Sequence, residues 1–266
     1  MVKIGIVGCT GRMGKMLISE ILSDERLILS GAIEQTGNDF IGRDVGEIFG
    51  CKRSGIVIGN DAEVLFTSSD VVVDFTSPKT TITYATIAAD MNTSYVVGTT
   101  GLTMNHETVL HQASSKVAIV RASNMSIGIN LMFSLVEQMA RLLDSKNYDA
   151  EIFEMHHRYK IDSPSGTALE FGKAISRGRN VKFDDVLEKN GSKLMRKVGD
   201  IGFASLRGGD VVGDHTVVFA SDGERIEISH KASSRQIFTK GAIRASLWVV
   251  DKPPGLYSMN DVLGIA

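Results

Sequence analysis

Residues 2–34 constrain the fold of this chain more than any other stretch. Val2–Val7 is a short apolar run, the pattern of a strand buried on both faces. The segment Gly8-Cys9-Thr10-Gly11-Arg12-Met13-Gly14 puts a glycine at every third position, which permits a tight turn and close approach of backbone to a ligand. Met13, Met16, Leu17 and Ile21 recur at helical spacing and predict a helix reaching about Leu22. Leu27–Glu34 reads as a second strand and completes a βαβ unit.

Such a unit carries a chemical expectation. Amides of the G-x-x-G-x-x-G turn can approach a pyrophosphate, which then rests on the helix N-terminus. Glu34 follows Gly14 by twenty residues, the spacing of an acid that bonds the adenosine ribose hydroxyls. Asp70–Phe75, Ser94–Gly98 and Val117–Arg121 read as further buried strands, separated by helical patterns at Thr80–Met91 and Met104–Ser114. Strand alternating with helix implies an α/β domain with a Rossmann-like, doubly wound parallel sheet. Ligands bind such sheets beyond the carboxyl ends of the strands. Gly98-Thr99-Thr100-Gly101 and Ala122-Ser123-Asn124-Met125 fall there, and their small or hydroxyl-bearing residues suit a ribose or a nicotinamide amide.

The pattern changes after Asn124. Asn130–Leu143 reads as a long amphipathic helix and Ala150–His156 as a strand. Strands at Ile201–Leu206, Thr216–Ala220 and Arg225–Ser229 follow, with glycine turns and no helix between them. That succession predicts a second α+β domain with a mixed, largely antiparallel sheet. A last helix, Thr239–Val250, stops before Pro253-Pro254, and the first domain is the expected partner for its apolar face of Ile243, Leu247 and Val250. The expected division is residues 1–126 with 238–266 for dinucleotide binding, and 127–237 for substrate.

The second domain holds the most chemically loaded segment. Glu154-Met155-His156-His157-Arg158-Tyr159-Lys160 packs two histidines, an arginine and a lysine into five residues. Ser165-Gly166-Thr167 then opens a helix read as Ala168–Arg177, with Thr167 as N-cap and Glu170 closing a capping box. Cations beside a helix N-terminus make a site for an anion, best a small dianion, and the amides near Gly166 and Thr167 can hold a carboxylate. His and Lys also deliver protons near neutral pH. Strand alternation puts Ile152, Glu154 and His156 on one face, with Phe153, Met155 and His157 on the other. A solvated basic loop or a phosphate site would use the same residue types, and no Asp, Glu or Cys completes a familiar metal spacing.

Composition narrows the class. A net charge of −2 gives no reason to expect nucleic acid or an anionic membrane as partner. Cys9 and Cys51 form no metal or disulfide framework, no apolar run approaches the ~18 residues of a membrane span, and a strand starting at Val2 leaves no room for a secretory signal. A cytoplasmic protein is expected.

Together these residues resemble the 4-hydroxy-tetrahydrodipicolinate (dihydrodipicolinate) reductase family of lysine and diaminopimelate biosynthesis. The resemblance runs through Gly8–Gly14, Asp74-Phe75-Thr76, Gly98–Gly101, Asn124-Met125-Ser126, His156–Thr167, Ile201–Ala204, Gly213–Thr216 and His230–Arg235. The string E-x-H-H-R-x-K-x-D-x-P-S-G-T is its most specific part. The resemblance implies hydride transfer from NADH or NADPH to a cyclic, unsaturated dicarboxylate. It implies His156 as proton donor or acceptor, Lys160 as the second proton donor, and His157, Ser165, Gly166 and Thr167 at the substrate. It places Gly8, Cys9, Thr10, Gly11, Arg12, Met13, Glu34, Gly98, Thr99, Thr100, Ala122, Ser123, Asn124 and Met125 at the cofactor, and implies a homotetramer built through the second domain's sheet, without a metal. Many members carry arginine after the acid, where it meets a 2′-phosphate; here Gln35 stands there, so NADH is expected to serve at least as well as NADPH.

Two other readings fit less well. A semialdehyde dehydrogenase needs a cysteine nucleophile, and neither Cys9 in the turn nor Cys51 in a glycine-rich loop suits that role. A redox-sensing regulator would need no proton donor beside a dianion site.

Overall fold

The computed structural model describes residues 1–48, 50, 53–187 and 196–265, so Cys51 lies outside the described residues. The chain divides into two compact units, Met1–Ser126 with Phe238–Ala266, and Ile127–Ile237.

The first unit runs β1 (Val2–Val7), α1 (Arg12–Ser23), β2 (Leu27–Ile33), α2 (Val45–Ile48), α3 (Ala62–Thr67), β3 (Val71–Asp74), α4 (Pro78–Met91), β4 (Ser94–Val97), α5 (Met104–Ala113) and β5 (Ala118–Arg121). The second holds α6 (Ile127–Leu142), β6 (Asp149–His156), α7 (Gly166–Gly178), α8 (Phe183–Val186), β7 (Ile201–Arg207), β8 (Gly213–Ser221) and β9 (Glu224–Ala232). Helix α9 (Gln236–Val249) returns the chain to the first unit, followed by β10 (Gly255–Tyr257) and α10 (Met259–Leu263).

Six parallel strands in the order β10-β5-β4-β3-β1-β2 form the first sheet, a Rossmann-like arrangement. Val71, Val72 and Val73 are all fully buried, because helices cover both faces and every side chain of a central parallel strand meets one. One face packs Ile4, Ile6, Leu17, Ile18 and Ile21 with Ala242, Ile243, Ala245 and Val249 of α9, so α9 packs against the first unit as its apolar stripe predicts, although a short α10 and not α9 is the final helix. The strand order reverses at β1, which is flanked by β2 and β3; ligands bind sheets of this kind at such a switch point.

In the second unit the order is β7-β6-β8-β9, with β6 and β7 parallel and the other pairings antiparallel. Helices α6 and α7 cover one face, where Val136, Phe171 and Ile175 meet Ala150, Ile152, Ile201, Val217 and Phe219. Glu154 and His156 share that buried face with Ile152, while Phe153 on the opposite face is 45% exposed.

Candidate active site

The dinucleotide turn has the backbone that its glycines imply. Gly8 has φ +64°, and a Cβ there would lie 2.8 Å from Thr76 Cγ2; a Cβ on Gly14 would meet Gly8 O at 2.4 Å. Only glycine at both lets α1 start this close to β1. The Gly11 amide closes onto Gly8 O (3.1 Å), the Cys9 amide onto Ile33 O (3.2 Å), and the Thr10 amide onto Glu34 Oε1 (2.8 Å). First-turn amides such as those of Arg12 and Met13 have no i−4 carbonyl within the helix, which suits them to a phosphate. Glu34 follows β2, and Oε1 also accepts from Thr10 Oγ1 at 2.7 Å, so the acid is tied to the turn. The residues present therefore fit a dinucleotide.

Cys9 is fully buried, and burial first, then the charge of Glu34, pushes its thiol up to about 12. Only its backbone is available to a ligand, and the thiol is no nucleophile. Ala122 and Met125 are also buried, whereas Ser123 and Thr100 are exposed; Asn124 Oδ1 accepts from Ser126 N at 2.9 Å.

Thr99 points inward, toward a feature not anticipated from sequence. Asp74, fully buried at the carboxyl end of β3, accepts from Thr76 N (2.7 Å), Thr76 Oγ1 (2.6 Å), Thr81 Oγ1 (2.6 Å) and Tyr95 Oη (2.5 Å). Thr99 Oγ1 reaches the same carboxylate at 3.3 Å. Burial, and then the charge of Asp74, raises the Tyr95 hydroxyl well above its ordinary value, so it remains a donor. The network ties the loops after β3 and β4 together, and the backbone rather than the hydroxyl of Thr99 is what a ligand would meet.

In the second unit, His156 is 8% exposed and its Nδ1 is hydrogen-bonded to Glu154 Oε2. Glu154 is only 2% exposed and also accepts from Arg207 (Nη1 to Oε2, 3.0 Å; Nη2 to Oε1, 2.9 Å) and from Ser165 N at 3.2 Å. Burial alone would raise the carboxyl, but the bonds from His156 and Arg207 outweigh it and hold it at about 2. An ionised carboxylate only accepts, so Nδ1 carries a proton and Nε2 is the nitrogen left to exchange one.

His215 stands edge-on to His156, ring centroids 5.1 Å apart. It is 4% exposed, and burial followed by the charge of His156 lowers it to about 3, so it is neutral at physiological pH. The Ser165 hydroxyl accepts from Ala168 N (3.2 Å) and is 3.2 Å from His215 Nε2, to which it can donate.

That geometry corrects one expectation. Ser165, not Thr167, is the N-cap of α7, and Gly166 and Thr167 are its first-turn residues. Glu170 pairs with Lys173 at 2.7 Å instead of closing a capping box. Ser165 wins because its amide is anchored on Glu154 and its hydroxyl lies beside His215, contacts that no local pattern contains. Lys160 pairs with Asp162 (2.9 Å), whose carboxyl burial would raise but Lys160 lowers, with a further contribution from the Gly166 amide. His157 follows β6, its ring 6.5 Å from that of Tyr159.

The sequence singled out His156 and the helix N-terminus but gave no role to the partners that hold them, Arg207 and His215, nor to Asp74, although Asp74 and His215 fall in stretches that carry the resemblance. Their signal was their position: Asp74 and Arg207 each end a strand, and His215 faces Glu154 across the β6–β8 register.

Residues 2–125 match a family model for the dihydrodipicolinate reductase N-terminus and residues 128–263 one for its C-terminus. A 4-hydroxy-tetrahydrodipicolinate reductase of Rhizobium rhizogenes is 47% identical over 99% of this chain and 97% of its own length. One from Ruegeria pomeroyi is 45% identical over 98% of each. Among solved structures, a dipicolinate-bound dihydrodipicolinate reductase from a Paenisporosarcina species superposes with a TM-score of 0.75 over 97% of both chains at 24% identity, a likeness of fold. With both halves matched and relatives aligned nearly end to end, the chain belongs to the dihydrodipicolinate reductase family.

Proposed function

We propose that this chain reduces 4-hydroxy-tetrahydrodipicolinate to tetrahydrodipicolinate, the 4-hydroxyl leaving as water, in lysine and diaminopimelate biosynthesis. The relatives named above support the reaction. Gly8–Met13, Glu34, Gly98–Thr100 and Ala122–Met125 would hold NADH or NADPH, which would supply the hydride when bound. His156 transfers a proton through Nε2, with Glu154 keeping Nδ1 protonated and the ring oriented. Lys160 neutralises a substrate carboxylate and serves as second proton donor, exchanging Asp162 for the ligand. His157, Ser165 and the amides of Gly166 and Thr167 complete a dianion site at the N-terminus of α7. The single observation that carries this reading is an oriented histidine, a lysine and a helix N-terminus within twelve residues, His156–Thr167.

The test is substrate-dependent oxidation of NADH with enzymatically generated substrate. Activity lost in His156→Ala and Lys160→Ala supports the assignment. Tight NADH binding with no substrate-dependent oxidation would instead favour a redox sensor.

We place the enzyme in the cytoplasm, since a reducing compartment suits its free thiol at Cys9. Among the described residues no helix is long and apolar enough to cross a membrane. The face of the second sheet that carries Phe153, 45% exposed, and Leu206, 57% exposed, suits burial against another copy, and a homotetramer is the assembly we expect.

A further inference from the structure

We infer that Arg207 is a positioning residue that sets His156 and Lys160 in register with one another, an inference that rests on the reductase reading above. Arg207 ends β7 directly opposite His156 in the parallel pairing with β6. A guanidinium has five N–H donors in one plane. Each meets an acceptor inside the protein. Nη1 donates to Glu154 Oε2 (3.0 Å) and Leu206 O (2.6 Å), and Nη2 to Glu154 Oε1 (2.9 Å) and Asp162 O (2.6 Å). Nε donates to Lys160 O at 3.3 Å.

The two bonds to Glu154 fix the carboxylate that holds His156 Nδ1. The bonds to the carbonyls of Lys160 and Asp162 fix the backbone from which the Lys160 side chain springs. One planar group therefore grips both proton-handling elements, which belong to different parts of the chain: a strand end and the loop after it. With all five donors engaged, none is left for a substrate carboxylate. Arg207 thus acts through His156 and Lys160 and does not touch the reacting atoms. Nor is this an ordinary surface ion pair, because Glu154 is 2% exposed and without Arg207 its carboxylate would lose two of the four N–H donors that meet it. Lysine offers three donors from one point and cannot reproduce the fork.

The test compares Arg207→Ala and Arg207→Lys with wild type for kcat, KM and NADH affinity. Misplacing two catalytic side chains by a fraction of an ångström should lower kcat by about tenfold to a hundredfold, with NADH affinity unchanged. Guanidinium ion added to Arg207→Ala should restore part of kcat, and Arg207→Ala should lower kcat less in a Lys160→Ala background than alone, the part acting through His156 remaining. Should the alanine variant fail to fold, Arg207→Lys retains the positive charge beside Glu154 and carries the same kcat comparison. Wild-type kcat in either variant would overturn the inference. So would a loss that guanidinium does not relieve and that adds in full to Lys160→Ala, the behaviour of plain destabilisation. Should His156→Ala and Lys160→Ala themselves retain full turnover, the catalytic reading fails instead; if they lose it while the Arg207 variants do not, only the role of Arg207 falls.

Discussion

Replacing Glu154 by glutamine removes a charge without changing shape. Four N–H donors converge on this carboxylate: His156 Nδ1, two from Arg207 and the Ser165 amide. A glutamine offers one amide oxygen to accept from them and turns an NH₂ toward the remainder, so at least two donors lose their acceptor. The carboxyl moves from 4.5 to about 2 on folding, a difference of about 2.5 units, or ~3 kcal/mol at 1.36 kcal/mol per unit. An independent figure, ~3–5 kcal/mol for breaking a buried ion pair by removing one partner, is of the same size. Glu154→Gln should therefore destabilise the second unit by ~3 kcal/mol. The chain's one tryptophan, Trp248, lies in α9 of the first unit, so hydrogen exchange of β6 and β8 amides is the appropriate assay.

Activity should fall with stability, because His156 loses the acceptor that orients its ring. The loss is bounded by the ~10²–10⁴-fold that proton transfer itself contributes. Acid provides a further check. A carboxyl depressed in the folded state stabilises fully above its ordinary value, and that contribution is lost as pH falls toward the folded value. The stability gap between wild type and Glu154→Gln should thus be widest above pH 4.5 and shrink as pH falls toward about 2. A variant within about 1 kcal/mol of wild type at neutral pH, with wild-type turnover, would refute the reasoning.

Other substitutions probe the remaining parts of the site. His156→Gln should lower kcat by ~10²–10⁴-fold with little change in substrate affinity, read by steady-state kinetics; near wild-type turnover would sink the proton-donor role. Lys160→Ala should raise KM and lower kcat together, since the side chain both binds and donates; two unchanged constants would mark the cluster as a solvated loop. Cys51→Ser leaves Cys9 as the only thiol, and with its pKa near 12 it should react with a disulfide reagent at pH 8 at least ~10³-fold more slowly than free cysteine; ready labelling would show that Cys9 is not buried as described. Wild type should use NADH at least as well as NADPH in kcat/KM, and Gln35→Arg should shift preference toward NADPH by ~10–100-fold, the worth of one charged hydrogen bond; a clear NADPH preference in wild type would show that position 35 does not discriminate.

What the sequence made legible was whatever depends on neighbours along the chain. The apolar run Val2–Val7 became β1 with the same limits, and Gly8 and Gly14 took up the close contacts their spacing implied. Alternation along β6 placed Glu154 and His156 on one face, which is where they meet. Short elements escaped: the three residues of β10 and the six of α3 are too few to show a period. So did everything fixed by pairing between distant strands. Thr167 and Glu170 have the local spacing of a capping box, yet Ser165 caps α7, because β6 supplies Glu154 to its amide and β8 supplies His215 to its hydroxyl. Glu154 faces His215 in one register and His156 faces Arg207 in another, across separations of roughly fifty to sixty residues that no helix or strand period spans. A candidate histidine can therefore be named from its own segment. What holds its Nδ1, keeps its neighbour neutral and aims its lysine can be read only once the strands are paired, and for that reason the partners of His156 and not His156 itself were the residues the fold had to supply.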